Sequence, residues 1–359
     1  MVTRRLKERK SQLVAALTVF AMVGVALIAE GAVRLRSYVK HGHGSLRIEN
    51  VYQVDPRTGL RTPRPGAQSG GIEINSFGFR GDEIDDPKPQ DRVRLAFIGG
   101  STTFCAEVTS NEVTWPHLVT RSLNSLAPKF DYINAAVPGY TVQASRERLR
   151  IEVAPLDPDI VIIYHASNDL AKNGAREAQR HGLLLGSGDT ALSFPARYSM
   201  LWYLLEKNFW VWQRQRQAFS PAGKLDVPLQ VLSKPFADDL SQLVAEASDV
   251  AETVVLMTFI TRLRPHQTEE ERRRAAITSL YYMPYMTPDQ LLSAFAAYNG
   301  VIRQVAGTSG TFLIEGEADI PADDAHFVDS IHFTDRGSRR MADHVYHGLI
   351  SSGALASYL

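Results

Sequence analysis

From residue 92 onward the chain alternates short apolar runs with helical stripes, and that alternation leaves few folds open. Residues 93–98, 131–136, 159–164, 253–259 and 311–314 each read as a strand. The third, DIVIIY, is β-branched and apolar after its first residue, the pattern of a central parallel strand covered on both faces. Between the strands, Trp115, Leu118, Val119, Leu123 and Leu126 recur at helical spacing, as do Leu240, Leu243, Val244, Ala247 and Val250. Residues 142–151 predict another helix. Thr287-Pro288-Asp289-Gln290 marks a helix start, with a capping residue, a proline at the first turn and a glutamine to close a capping box. That helix should run to about residue 305, and a last one should follow Thr334 with Met341, Val345 and Leu349 on one side. The expected class is α/β: one doubly wound domain over 92–359, with a five-stranded parallel sheet between helical layers.

In such sheets ligands bind at the carboxyl ends of the strands. Four segments lie there. Gly99-Gly100-Ser101-Thr102-Thr103-Phe104 follows the first strand, and the segment reaching Pro138-Gly139-Tyr140 follows the second. His165-Ala166-Ser167-Asn168-Asp169 follows the third, and Asp329-Ser330-Ile331-His332 lies beyond the fifth. These are the residue types of acyl transfer. A serine hydroxyl needs an imidazole to take its proton, and the imidazole needs a carboxylate to fix its tautomer and stabilise its charged form. A tetrahedral oxyanion needs preorganised donors. Ser101, His332 and Asp329 suit the first three roles, and the N–H groups of Ser101 and Gly139 with the Asn168 amide suit the last.

The order Ser, Gly, Asn, then Asp-x-x-His near the C-terminus resembles the SGNH hydrolases, or GDSL-type esterases, over about residues 93–349. The earlier Asn75-Ser76-Phe77-Gly78-Phe79-Arg80-Gly81 is similar to a segment preceding the core in membrane-anchored bacterial members. The resemblance implies a flavodoxin-like α/β/α sandwich and Ser-His-Asp ester hydrolysis without a metal or organic cofactor. It also implies Ser101, His332 and Asp329 as catalytic residues, with Ser101, Gly139 and Asn168 as the oxyanion hole. At a cell envelope the implied substrate is an O-acetylated glycan or a small ester. An O-acyltransferase using the same triad, or a non-catalytic glycan-binding protein of the same fold, would share these residues. The first block departs from the family pattern in reading Gly-Gly-Ser rather than Gly-Asp-Ser. Cys105 stands where a glycine is common, and Ala166 replaces a glycine. These departures bear on pocket shape and substrate.

Rival readings are narrower. His165, Asp169, Asp329 and His332 are metal-ligand types, but their spacing matches no metal motif. Cys105, the one cysteine, reads as a small buried thiol, and no intramolecular disulfide can form. Ser101 outside the SGNH pattern would be a helix cap after a glycine turn. Its Gly-Gly-Ser-Thr-Thr setting is not the Gly-x-Ser-x-Gly of the α/β-hydrolases.

Residues 13–29 carry no charge, and five basic residues precede them. This predicts a membrane-spanning anchor over about 13–30, with the N-terminus cytoplasmic and the remainder across the membrane, and a cleavable signal peptide is the rival reading. Such a body would be periplasmic in a Gram-negative envelope. The formal charge of the whole chain is zero, with 39 basic and 39 acidic residues, so no basic excess points to nucleic acid. Residues 41–91, rich in Gly, Pro and charge, read as a stalk and small cap. An aromatic-rich insertion spans about 170–236, and three of the four tryptophans fall within 194–219. Aromatic stripes usually mean burial, so a helix packed on the core is expected there. A membrane-surface helix or an acyl-chain lid is the rival.

Overall fold

The computed structural model describes residues 2–41, 51–183, 193–220, 223–317 and 319–359. The first part of the expected stalk and the 184–192 stretch of the expected insertion lie outside them. The chain divides into two units: Met1–Glu49 with Gly188–Trp212, and Asn50–Ser187 with Gln213–Leu359.

In the first unit, α1 (Val2–His41) contains one stretch long and apolar enough to cross a membrane, Gln12–Val39, within which an 18-residue window has mean hydropathy 2.3 and none of it is buried. The second unit begins with two small hairpins. β1 (Tyr52–Val54) pairs antiparallel with β2 (Arg61–Pro63), and β3 (Gln68–Ser69) with β4 (Ile72–Glu73).

β5 (Val93–Gly99) then enters the main sheet and leads into the short helix α2 (Ser101–Phe104). α3 (Trp115–Asn124), β6 (Phe130–Asn134), α4 (Val142–Arg148), β7 (Ile160–Tyr164) and α5 (Ser167–Arg180) follow. After α6 (Met200–Ala218) come α7 (Leu229–Ser248), β8 (Thr253–Met257) and α8 (Glu269–Tyr282). The chain closes with α9 (Pro288–Ser309), β9 (Phe312–Ile314) and α10 (Asp335–Ser351). The α9 capping box is present in both directions between Thr287 and Gln290, and Thr334 caps α10 by accepting the Gly337 N–H.

The sheet order is β6-β5-β7-β8-β9, parallel at every pair. This is the flavodoxin-like order, whose switch point lies between β5 and β7. The two strands are fully buried, as the runs of Val, Ile and Leu require. α3 and α10 pack together as one layer, while α4, α5 and α9 pack on α7 as the other. The five-stranded α/β/α sandwich expected from the alternation is what the chain forms.

The expectation for the aromatic insertion is corrected. Trp202, Leu205, Phe209 and Trp212 of α6 are about half exposed, at 49, 56, 55 and 51%, instead of lining the core. Aromatic content predicts burial only when a partner surface exists, and α6 belongs with α1 up to Trp212.

Candidate active site

The carboxyl ends of β5, β6 and β7 and the segment before α10 meet over the switch point. β5 ends in Gly99, and Ser101 opens α2. Both glycines before the serine are closely enclosed, Gly99 by backbone as well as side chain. A Cβ on Gly99 would stand 2.1 Å from Thr103 Oγ1, and one on Gly100 would stand 2.6 Å from Asn168 Nδ2. In this chain the Asn168 amide fills the space beside position 100, so a side chain there would have to displace it. Cys105 closes α2 with φ of 59°, a left-handed backbone, which accounts for the glycine expected there. Its thiol is buried, and burial pushes its pKa up to about 11, so it is no nucleophile at neutral pH.

His332 Nε2 lies 2.7 Å from Ser101 Oγ, and His332 Nδ1 lies 2.8 Å from Asp329 Oδ2. The other carboxylate oxygen, Oδ1, accepts the N–H groups of Ile331 at 2.9 Å and His332 at 2.8 Å. Burial pushes the Asp329 pKa up, but the hydrogen bonds and charge of His332 and the two backbone donors outweigh it. The carboxyl is held below the usual carboxylate range. The loop itself is pinned: Val328 N–H donates to His332 O, Arg262 N–H to Ser330 O, and Ser330 Oγ accepts from Ser279 N–H.

Asn168 sits in the first turn of α5 and donates one Nδ2 hydrogen to Tyr140 O at 2.8 Å. That bond orients the amide and leaves the second hydrogen on the same nitrogen. Gly139 has φ of +89°, which L side chains rarely adopt, and this conformation carries the turn before α4. Ser101, Gly139, Asn168 and His332 all line one cleft of about 370 Å³, together with Arg61, Ala171, Tyr282, Met283 and Ile331. Arg61 comes from β2, held 4.2 Å over the Tyr52 ring and donating to Pro138 O. Nothing in the residue pattern pointed to it, because a three-residue strand is too short to show a period. Asn168→Ala should lower kcat by roughly 10²–10³. Gly100→Ala should lower it in the same direction by displacing that amide. Steady-state hydrolysis of an aryl acetate checks both.

The metal-ligand quartet does not assemble. His332 and Asp329 belong with Ser101, whereas His165 Nε2 shares a hydrogen bond with Ser145 Oγ at 2.9 Å, with Asp169 3.8 Å from its Nδ1. Among the described residues no group of three or more His, Cys, Asp or Glu could hold a metal ion. The inner set supports the site from behind, since Asp169 accepts the Val142 N–H that follows the Gly139 turn. Burial pushes the His165 pKa down to about 3 and the Asp169 pKa up to about 7.

The imidazole is thus neutral when folded, while the unfolded chain takes up its proton near pH 6.5. Its contribution to stability is fully present above pH 6.5 and is lost as pH falls toward 3. The slope is about 1.4 kcal/mol per pH unit. His165→Gln removes that limb, so its stability deficit relative to wild type should shrink from pH 7 to pH 4. Urea unfolding at both values checks this, and a constant deficit would refute it.

The family model for the GDSL-like lipase/acylhydrolase family matches residues 97–340. No curated protein matches the chain. Among solved structures, it is similar to an acetylxylan esterase from Geobacillus stearothermophilus at 17% identity. That match covers 73% of this chain and 96% of the other, with a TM-score of 0.44. It is also similar to the lipase/acylhydrolase from Enterococcus faecalis at 16% identity, covering 72% and 96%, with a TM-score of 0.43. With its sandwich in flavodoxin order and the family match running from β5 into α10, the chain belongs to the GDSL-like lipase/acylhydrolase family of SGNH ester-bond hydrolases.

Proposed function

We propose that this chain is a serine esterase whose nucleophile is Ser101, with His332 as general base and Asp329 as the group that orients it. The observation that carries the reading is the hydrogen-bonded chain from Ser101 Oγ through both His332 nitrogens to Asp329, at 2.7 and 2.8 Å. Ser101 Oγ attacks the ester carbonyl as its proton passes to His332 Nε2. The tetrahedral anion takes donors from Ser101 N–H, Gly139 N–H and the second Asn168 Nδ2 hydrogen. Collapse transfers the proton from Nε2 to the leaving alkoxide and leaves an acyl-serine, which water resolves by the same relay.

Residues 1–40 are the basic stub and membrane anchor, 41–91 the stalk and cap, and 92–359 the catalytic domain, which lies across the membrane from the N-terminus. The substrate class is an O-acyl, chiefly O-acetyl, ester on an extracytoplasmic glycan or a small ester. A cleft of about 370 Å³ accommodates a short acyl group with part of its alcohol.

The test is fluorophosphonate labelling of the full-length protein in mild detergent, with the labelled residue mapped by mass spectrometry. Label on Ser101, lost in Ser101→Ala, is the expected result. A folded protein that takes no label, or takes it elsewhere, would sink the assignment.

A further inference from the structure

Glu30 is the first charged residue after the uncharged run 13–29. Its carboxylate is engaged at the start of α6. It accepts the N–H groups of Met200 at 2.9 Å and Leu201 at 2.8 Å, and the Ser199 hydroxyl at 2.8 Å. Arg34, one turn further along α1, pairs with it at 2.6 Å and also donates to Tyr198 O at 3.1 Å. A carboxylate from α1 thus satisfies two of the open N–H groups of the α6 N-terminus, where negative charge is favoured.

This connection fixes depth. Seventeen uncharged residues span about 25 Å as a helix, against a hydrocarbon layer of about 30 Å. Ionised side chains inside that layer are costly, so Glu30 and Arg34 belong at its edge. The segment 198–201, which enters α6, is bonded to both and lies at the same level.

What α6 presents there is a single stripe. Tyr198, just before the helix, and Trp202, Leu205, Phe209 and Trp212 on it recur at spacings of four and three residues, and every one is about half exposed or more. Five large apolar side chains along one face are uncommon against water. Trp and Tyr at the edge of the hydrocarbon are instead the usual membrane belt. α6 carries Lys207, Arg214 and Arg216 against one acidic residue, Glu206, a balance suited to anionic headgroups. With Glu206 and Lys207 near its middle, it is no second span.

We infer that the aromatic face of α6 lies in the headgroup–acyl boundary of the bilayer that α1 crosses, a second membrane contact beside the anchor. The inference rests on the anchor reading of α1. The tryptophans supply the readout. α1 has none, Trp115 is fully buried in the hydrolase unit, and the other three, Trp202, Trp210 and Trp212, lie on α6.

Full-length protein is reconstituted into phosphatidylcholine–phosphatidylglycerol vesicles whose phosphatidylcholine carries brominated acyl chains. Tryptophan emission should be quenched, more by bromines near the headgroup end of the chain than near its tip. The W202F/W210F/W212F variant should leave only unquenched Trp115 emission. Leu205→Asp should weaken quenching while the protein still floats with the vesicles. Protein that floats but whose emission is equal in brominated and plain lipid would overturn the inference alone, assigning the face to a lid or a second copy. Protein that does not float would overturn the anchor reading and this inference with it.

Discussion

Replacing Ser101 by alanine should lower kcat by roughly 10⁶, and replacing His332 by alanine should cost about as much. The double variant should be hardly worse than either single one. The reason is geometric: Ser101 Oγ and Asp329 Oδ2 hold opposite nitrogens of one ring, so serine and imidazole act as a unit. What survives is the contribution of the oxyanion donors and of binding.

Asp329→Asn should be less severe, on the order of 10⁴, and for a different reason. The two backbone donors on Oδ1 would hold the amide oxygen there and turn the NH₂ group toward His332 Nδ1. The ring would then accept at Nδ1 and carry its proton on Nε2, where it cannot take one from serine. Pre-steady-state kinetics on an activated acetate ester separates the cases, since acylation is the step lost in all of them. Additive losses in the double variant would show that the pair does not work as a unit.

The second large effect should fall on stability, at Arg80. This side chain is almost wholly buried, and burial pushes its pKa down. Its Nε donates to Asn111 Oδ1 at 2.9 Å, Nη1 to the carbonyls of Phe104 and Cys105, and Nη2 to Gly71 O. The guanidinium also stacks on the Phe104 ring. It therefore ties the N-terminal hairpins to the far end of α2, the helix that Ser101 opens.

Arg80→Ala leaves a cavity and several buried acceptors without donors, each costing about 1–3 kcal/mol. The expected total is roughly 3–5 kcal/mol, in line with other buried polar networks broken on one side. Arg80→Lys should not rescue it, because a single ammonium cannot reproduce the fork. Urea unfolding checks the stability loss. The rate of fluorophosphonate labelling in the folded fraction shows whether the turn behind Ser101 has loosened. An Arg80→Lys protein as stable and as quickly labelled as wild type would refute the clamp.

Arg80 also shows where sequence reading stops. Its segment stood out only through the family resemblance, and its acceptors are mostly main-chain carbonyls, which leave no trace in residue identity. By contrast, the β-branched runs of β5 and β7 announce themselves, because a strand covered on both faces has to be apolar. The Thr287–Gln290 box was legible because capping is a local interaction. Asp329 and His332 were legible for the same reason, since their three-residue offset lies within one turn. Tyr140 as the anchor of Asn168 was not, because the acceptor is again a carbonyl, 28 residues away. The exposed stripe on α6 failed in the opposite direction: periodicity reports that a face is apolar and is silent on whether protein or lipid covers it.

The groups proposed for catalysis hang from separate crossings of one sheet edge: Ser101 after β5, Gly139 after β6, Asn168 after β7, and Asp329 with His332 before α10. Among the described residues between Asn168 and Thr253, only Ala171 lines the cleft. Within that excursion α5 and α7 belong to the sandwich, but α6 can be lengthened, recoloured or replaced over generations without disturbing the reaction. A lineage carrying this scaffold is free to change where the enzyme stands while keeping what it does to a bond.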